Sequence, residues 1–125
     1  MTTIREYLNL IENNSEHDIL WHGTSEPIEV IQNQGLKGGR HNAVFLTDNP
    51  DLALEYAESD QDRTGNDTIT LVSINVKMLD RSKLVGDLDH TTEDDWVQSL
   101  KDTDQCMYLG DISPSMISNI EDYSD

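Results

Sequence analysis

Basic residues are scarce in this sequence. Eight Lys and Arg stand against 25 Asp and Glu in 125 residues, a formal charge of −17 with histidine neutral. A field of that sign repels phosphate backbones, so direct nucleic-acid binding is not expected and a protein target with a basic surface is. Cysteine occurs once, at Cys106, which excludes an internal disulfide and fits a reducing compartment. Its neighbours Met107 and Tyr108 make a strand-like run, the setting of a buried thiol rather than a nucleophile. No apolar run approaches the roughly 20 residues of a membrane span. The N-terminus carries Arg5 and Glu6 but no apolar signal region, so a cytoplasmic protein without membrane contact is expected. Metal chemistry lacks its spacings. His17, His22, His41 and His90 form no i, i+4 pair, and the carboxylates Asp87, Asp89, Glu93, Asp94 and Asp95 do not follow an EF-hand loop.

What is present is a regular scatter of apolar residues, 35% of the chain, enough for one core and one domain spanning residues 1–125. Ile4, Tyr7, Leu8 and Ile11 keep helical spacing, which predicts an N-terminal helix within residues 1–17. Residues 18–22 form a short apolar run that predicts a strand. Thr24 or Ser25 then caps a helix that buries Ile28 and Ile31 and stops at Gly35. Residues 36–42 contain Gly38-Gly39 and predict a loop; residues 43–47 predict a second strand. Asn49-Pro50 predicts a sharp helix start, with Leu52, Ala53, Tyr56 and Ala57 on one face. Residues 59–67 predict a polar loop, and residues 68–76, rich in Ile, Val and Thr, the clearest strand. Residues 78–90 show no period and predict a loop folded on the core. Thr91 or Thr92 caps a helix carrying Trp96, Val97 and Leu100, residues 105–109 make a last strand, and residues 120–125 a loose tail. Short strands interleaved with short helices give an α+β fold.

Three segments carry a resemblance. Leu20-Trp21-His22-Gly23-Thr24-Ser25 leading to Gly35-Leu36 resembles the first motif of the ADP-ribosyltransferase superfamily, which includes the poly-ADP-ribose polymerase and diphtheria-toxin branch and the RNA 2′-phosphotransferases. Val44-Phe45-Leu46-Thr47 followed by Tyr56 resembles the second, an aromatic strand and a helix with a second aromatic. The segment Tyr108-Leu109-Gly110-Asp111-Ile112-Ser113-Pro114 resembles the last.

The resemblance implies a compact domain with a split, curved β-sheet that grips NAD+ in an extended form, nicotinamide deepest. It implies that His22 bonds a ribose or the dinucleotide backbone, that Gly23 offers its main chain to the nicotinamide amide, and that Thr24 and Thr47 line the wall. Phe45 and Tyr56 would flank the nicotinamide ring. Apart from the resemblance, Gly38-Gly39 with Arg40 and His41 reads first as a flexible loop and second as a clamp for the NAD+ pyrophosphate, Arg40 being one of only eight cations. The chain departs from the pattern twice. Ala53 stands where serine is frequent, and the carboxylate expected at the start of the last strand falls on Gln105, with Asp104 one residue away and Asp111 beyond the strand. A neutral Gln105 hydrogen-bonds a hydroxyl but does not stabilise an oxocarbenium ion as a carboxylate does.

Two functions follow as expectations. One is an NAD+-dependent mono-ADP-ribosyltransferase that modifies a protein, possible for a virus or mobile-element effector by analogy alone. The other is a non-catalytic acidic binder that holds NAD+ or ADP-ribose, or mimics nucleic acid on a basic protein surface. Read without the resemblance, His22 is a strand-end histidine, Phe45 and Tyr56 are core aromatics, and Thr24 is a helix cap.

Overall fold

A computed structural model describes residues 18–89 and 95–123. The N-terminal helix expected within residues 1–17 and the caps expected at Thr91 or Thr92 lie outside them. Six strands form one antiparallel sheet: β1 (Ile19–Thr24), β2 (Ala43–Thr47), β3 (Thr70–Asn75), β4 (Leu84–Gly86), β5 (Gln105–Leu109) and β6 (Asn119–Asp122), in the order β4-β5-β2-β1-β3-β6. Among the described residues three α-helices accompany it: α1 (Ile28–Gln34), α2 (Pro50–Thr64) and α3 (Trp96–Thr103). The α+β class is therefore as expected.

Side-chain alternation sends each strand's residues to two faces. Leu20, Val44, Leu46, Val72, Ile74, Cys106 and Tyr108 join Ile31 of α1 and Leu100 of α3 in the main core. On the opposite face Trp21 and Leu71 pack against Ala53 of α2. That second layer is thin because α2 comes very close: a Cβ on Gly23 would lie 1.6 Å from the Ala53 carbonyl oxygen. Glycine at position 23 is what lets α2 lie on β1.

Local chemistry sets the helix ends. The Asn49 side chain accepts from the N–H groups of Asp51 (3.0 Å) and Leu52 (3.4 Å), with Pro50 at the first helical position. Helix α2 then runs through most of the segment expected as a polar loop. Its outer face needs no apolar residues, Arg63 bonds Asp60 one turn back, and Gly65 in the left-handed region (φ 77°) closes it. Asp95 caps α3 by accepting from Val97 N–H (2.9 Å) and Gln98 N–H (3.4 Å).

Three further expectations are corrected. Neither Thr24 nor Ser25 caps α1, which starts after Pro27 without a side-chain cap; Ser25 is buried and bonded to Asp60 instead. Within the expected loop at 78–90, residues 84–86 form β4 on β5, a strand too short to show a period. The expected loose tail supplies residues 120–122 of β6, which pairs with β3 from Ser73↔Asn119 to Thr70↔Asp122, and Tyr123 N–H continues the ladder to Ile69 (2.7 Å). Among the described residues no helix is long and apolar enough to cross a membrane.

Candidate functional site

Strand β1 is joined unequally to its neighbours. It matches β3 over six residue pairs, from Ile19↔Asn75 to Thr24↔Thr70, but β2 at one, Trp21↔Thr47. Beyond that pair the strands part, and the His22 side chain bridges them: its Nδ1 lies 2.7 Å from the Phe45 carbonyl oxygen. A cleft of about 470 Å³ occupies this seam. His22, Gly23 and Thr24 line it from β1, Phe45 and Thr47 from β2, Ala53 and Tyr56 from α2, and Gln105 from β5. Its volume is in the range of small-molecule sites.

The inner end is made of neutral groups. A carbonyl only accepts, so His22 Nδ1 carries the proton and donates to Phe45. Burial pushes the His22 pKa below its ordinary value, against the opposing pull of the Phe45 carbonyl and the Asp60 charge. The ring is thus neutral, with Nε2 left as an acceptor on a residue that lines the cleft. Thr47 and Gln105 are register partners and share a face. Gln105, 7% exposed, donates from Nε2 to the Tyr56 hydroxyl and so joins β5 to α2. Its main chain is equally fixed: its carbonyl accepts from Ser99 Oγ (2.7 Å) and Thr103 Oγ1 (3.1 Å). Burial, followed by the charges of Asp87, Glu55 and Asp104, raises the Tyr56 phenol, which keeps its proton.

The two carboxylates nearest in sequence to Gln105 lie elsewhere. Asp104 is exposed, adopts the left-handed conformation that ends α3 (φ 64°), and offers its carbonyl to Thr47 Oγ1. Asp111 is exposed too, and accepts from Gly38 N–H (2.8 Å) with Lys37 Nζ at 3.7 Å. A carboxylate does sit deeper. Asp87, following β4, is 0% exposed; its N–H bonds Ser99 Oγ (2.9 Å) and its carboxylate accepts from Asp89 N–H (3.0 Å).

The mouth, by contrast, is charged. Arg40 Nε and His41 Nε2 both donate to Asp89 Oδ1, at 3.0 and 2.9 Å. These bonds, that from His41 foremost, hold the Asp89 carboxyl below the usual carboxylate range. On the other wall, Asp60 accepts from Ser25 N–H (3.0 Å), Ser25 Oγ (2.8 Å) and Arg63. Against the cost of burial, these donors keep its carboxyl low. Ser25 also meets Thr64 Oγ1 (2.9 Å) and Asn66 Nδ2 (3.2 Å), and its carbonyl accepts from Thr68. The turn after β1 is therefore clamped to the end of α2.

The fold thus brings His22, Gly23, Thr24, Arg40, Phe45, Thr47, Tyr56 and Gln105 to one cleft, and leaves Asp104 and Asp111 out of it. Asp60 carried no expectation from the sequence, and Asp87 and Asp89 were expected only as members of a solvated acidic run, which the burial of Asp87 corrects. Asp89 meets Arg40 across 49 positions and Asp60 meets Ser25 across 35, separations at which no local pattern speaks. Cys106 is buried and its thiol pushed up by burial, as its neighbours predicted. Among the described residues no cluster of three potential metal ligands occurs. No protein-family model matches the chain, and no curated protein matches it by sequence.

Proposed function

We propose that the seam binds NAD+ or its ADP-ribose portion in the manner of the ADP-ribosyltransferases, and that the protein acts by holding this ligand on a strongly acidic surface. The support for the ligand is the parted β1–β2 junction, a split in the sheet lined by His22, Gly23, Phe45 and Tyr56. A neutral His22 with an acceptor at Nε2 suits a ribose hydroxyl, and two aromatic residues suit a flat ring. The observation that favours holding over transfer is Gln105. It lines the cleft, is neutral, and is hydrogen-bonded to Tyr56, whereas Asp104 and Asp111 face elsewhere. An amide binds a ribose hydroxyl but adds little stabilisation to positive charge developing at C1′. The charge of −17 then directs the complex to a basic protein partner and away from nucleic acid.

A second reading is mono-ADP-ribosyl transfer, in which nicotinamide leaves and a target side chain attacks C1′. What favours it is Asp87, a fully buried carboxylate whose field acts on the Tyr56 phenol. Calorimetry with NAD+, beside mass spectrometry of lysate proteins incubated with the protein and NAD+, separates the two. The expected result is saturable binding, weakened about tenfold or more in His22→Ala, with no adduct on any protein. An ADP-ribose adduct lost in His22→Ala would establish the transferase and identify its target. Absence of binding would sink both readings.

A further inference from the structure

Each cation that lines the cleft is already answered by a carboxylate of the same chain. Lys37 faces Asp111, Arg63 faces Asp60 and Arg40 faces Asp89. The last pair differs from the others in two ways. Asp89, which lines the cleft as Asp60 also does, serves both Arg40 and His41 through its single oxygen Oδ1, and the loop so captured is strained. His41 (φ 61°) and Asn42 (φ 55°) are consecutive non-glycine residues in the left-handed region. Asp89 is in turn fixed from below, since its N–H bonds the carboxylate of buried Asp87.

We infer that Asp89 is an internal substitute for a ligand phosphate: it occupies Arg40 at the cleft mouth, and a phosphate-bearing ligand must take Arg40 from it. Phosphate presents more acceptor oxygens and more charge than one carboxylate oxygen, and the guanidinium fork meets it in two bonds. Asp89 thereby determines specificity. Ligands that carry pyrophosphate must open the Arg40–Asp89 pair, while an isolated nicotinamide leaves it closed. The Arg40 side chain is 73% exposed and that of Asp89 is 21%, so the pair is a weak lock, one that a ligand opens at modest cost. This inference rests on the NAD+ reading of the same cleft.

The test is calorimetric titration of the folded protein with NAD+, inorganic pyrophosphate and nicotinamide, comparing Asp89→Asn, Glu121→Gln, Arg40→Gln and the Arg40→Gln/Asp89→Asn double variant. Glu121 lies on β6 at the far edge of the sheet, so its variant removes one negative charge without touching the cleft. Asp89→Asn is expected to tighten NAD+ and pyrophosphate about two- to fivefold, the span of an exposed ion pair. Nicotinamide is expected to be unchanged, as is the Glu121→Gln protein, and the double variant loses the gain. A gain in Asp89→Asn no larger than in Glu121→Gln, or one that persists without Arg40, overturns the inference even where NAD+ binds. A gain for pyrophosphate with no NAD+ binding in any variant leaves the Asp89 lock standing and removes the NAD+ reading. Binding of neither anion by any variant removes both.

Discussion

The two edges of β1 are built differently although one short strand supplies both. Towards β3, six consecutive pairs place Leu20 against Ile74 and His22 against Val72, with Ile74 and Val72 fully buried. Towards β2, one pair is followed by a gap that a histidine ring bridges. A complete ladder satisfies every backbone group and is stiff; a parted one leaves main-chain polar atoms and side chains for something else to meet. The contrast shows why the cleft falls where it does. The molecule is held together along β6-β3-β1 and along β2-β5-β4, and what lies between these two blocks is the cleft.

The largest effect is expected where the two blocks share a support. Gly23→Ala places a methyl group against the Ala53 carbonyl with no flexible side chain to yield, so α2 must lift from β1. Loss of more than about 3 kcal/mol is expected, beyond ordinary overpacking. A urea midpoint within error of the parent would refute this account of α2 docking.

Hydrogen exchange sharpens the comparison further. Amides of β1 that face β3 are expected to open with the whole domain, and those that face β2 to open locally. The second set is expected to exchange at least about tenfold faster, a difference of about 1.4 kcal/mol. Equal protection on both edges would mean that the seam is as closed as the ladder.

The smallest effect is one of pH. His22 has its folded pKa depressed below 6.5 by burial, so as pH falls below about 6.5 the unfolded chain takes up a proton that the folded chain does not. Stability contributed by neutral His22 is complete above that pH and is lost as pH falls from it towards the depressed folded value. In His22→Gln the decline of the urea midpoint over that range is expected to be shallower than in the parent. An identical slope would show that the His22 ring is not held neutral by the seam.

Much of this architecture is legible in the amino-acid sequence. Strand β2 falls on residues 43–47 as expected, β5 on 105–109, and Asn49-Pro50 opens its helix, because in each case a local rule and the global packing agree. The grouping of His22, Phe45 and Tyr56 was expected from the first two motifs, and that of Gln105 from its place at the start of the last strand, whereas the third motif, residues 108–114, adds no residue to the cleft lining. Three-residue β4 and four-residue β6 were not legible, since pairing with a longer neighbour defines them and not their own pattern. Nor was the fate of the carboxylates. A run of acids reads as solvated surface, and nothing local separates Asp87, which is buried, from Asp104, which ends a helix in the open.

One feature of the core has a practical use. Cys106 is the chain's single thiol, and it lies at 0% exposure on β5 among the residues of the main core. An alkylating reagent in solution meets it only when β5 separates from its neighbours. Mass added by such a reagent therefore counts openings of the native domain one molecule at a time, an internal clock that needs neither a denaturant nor an introduced label.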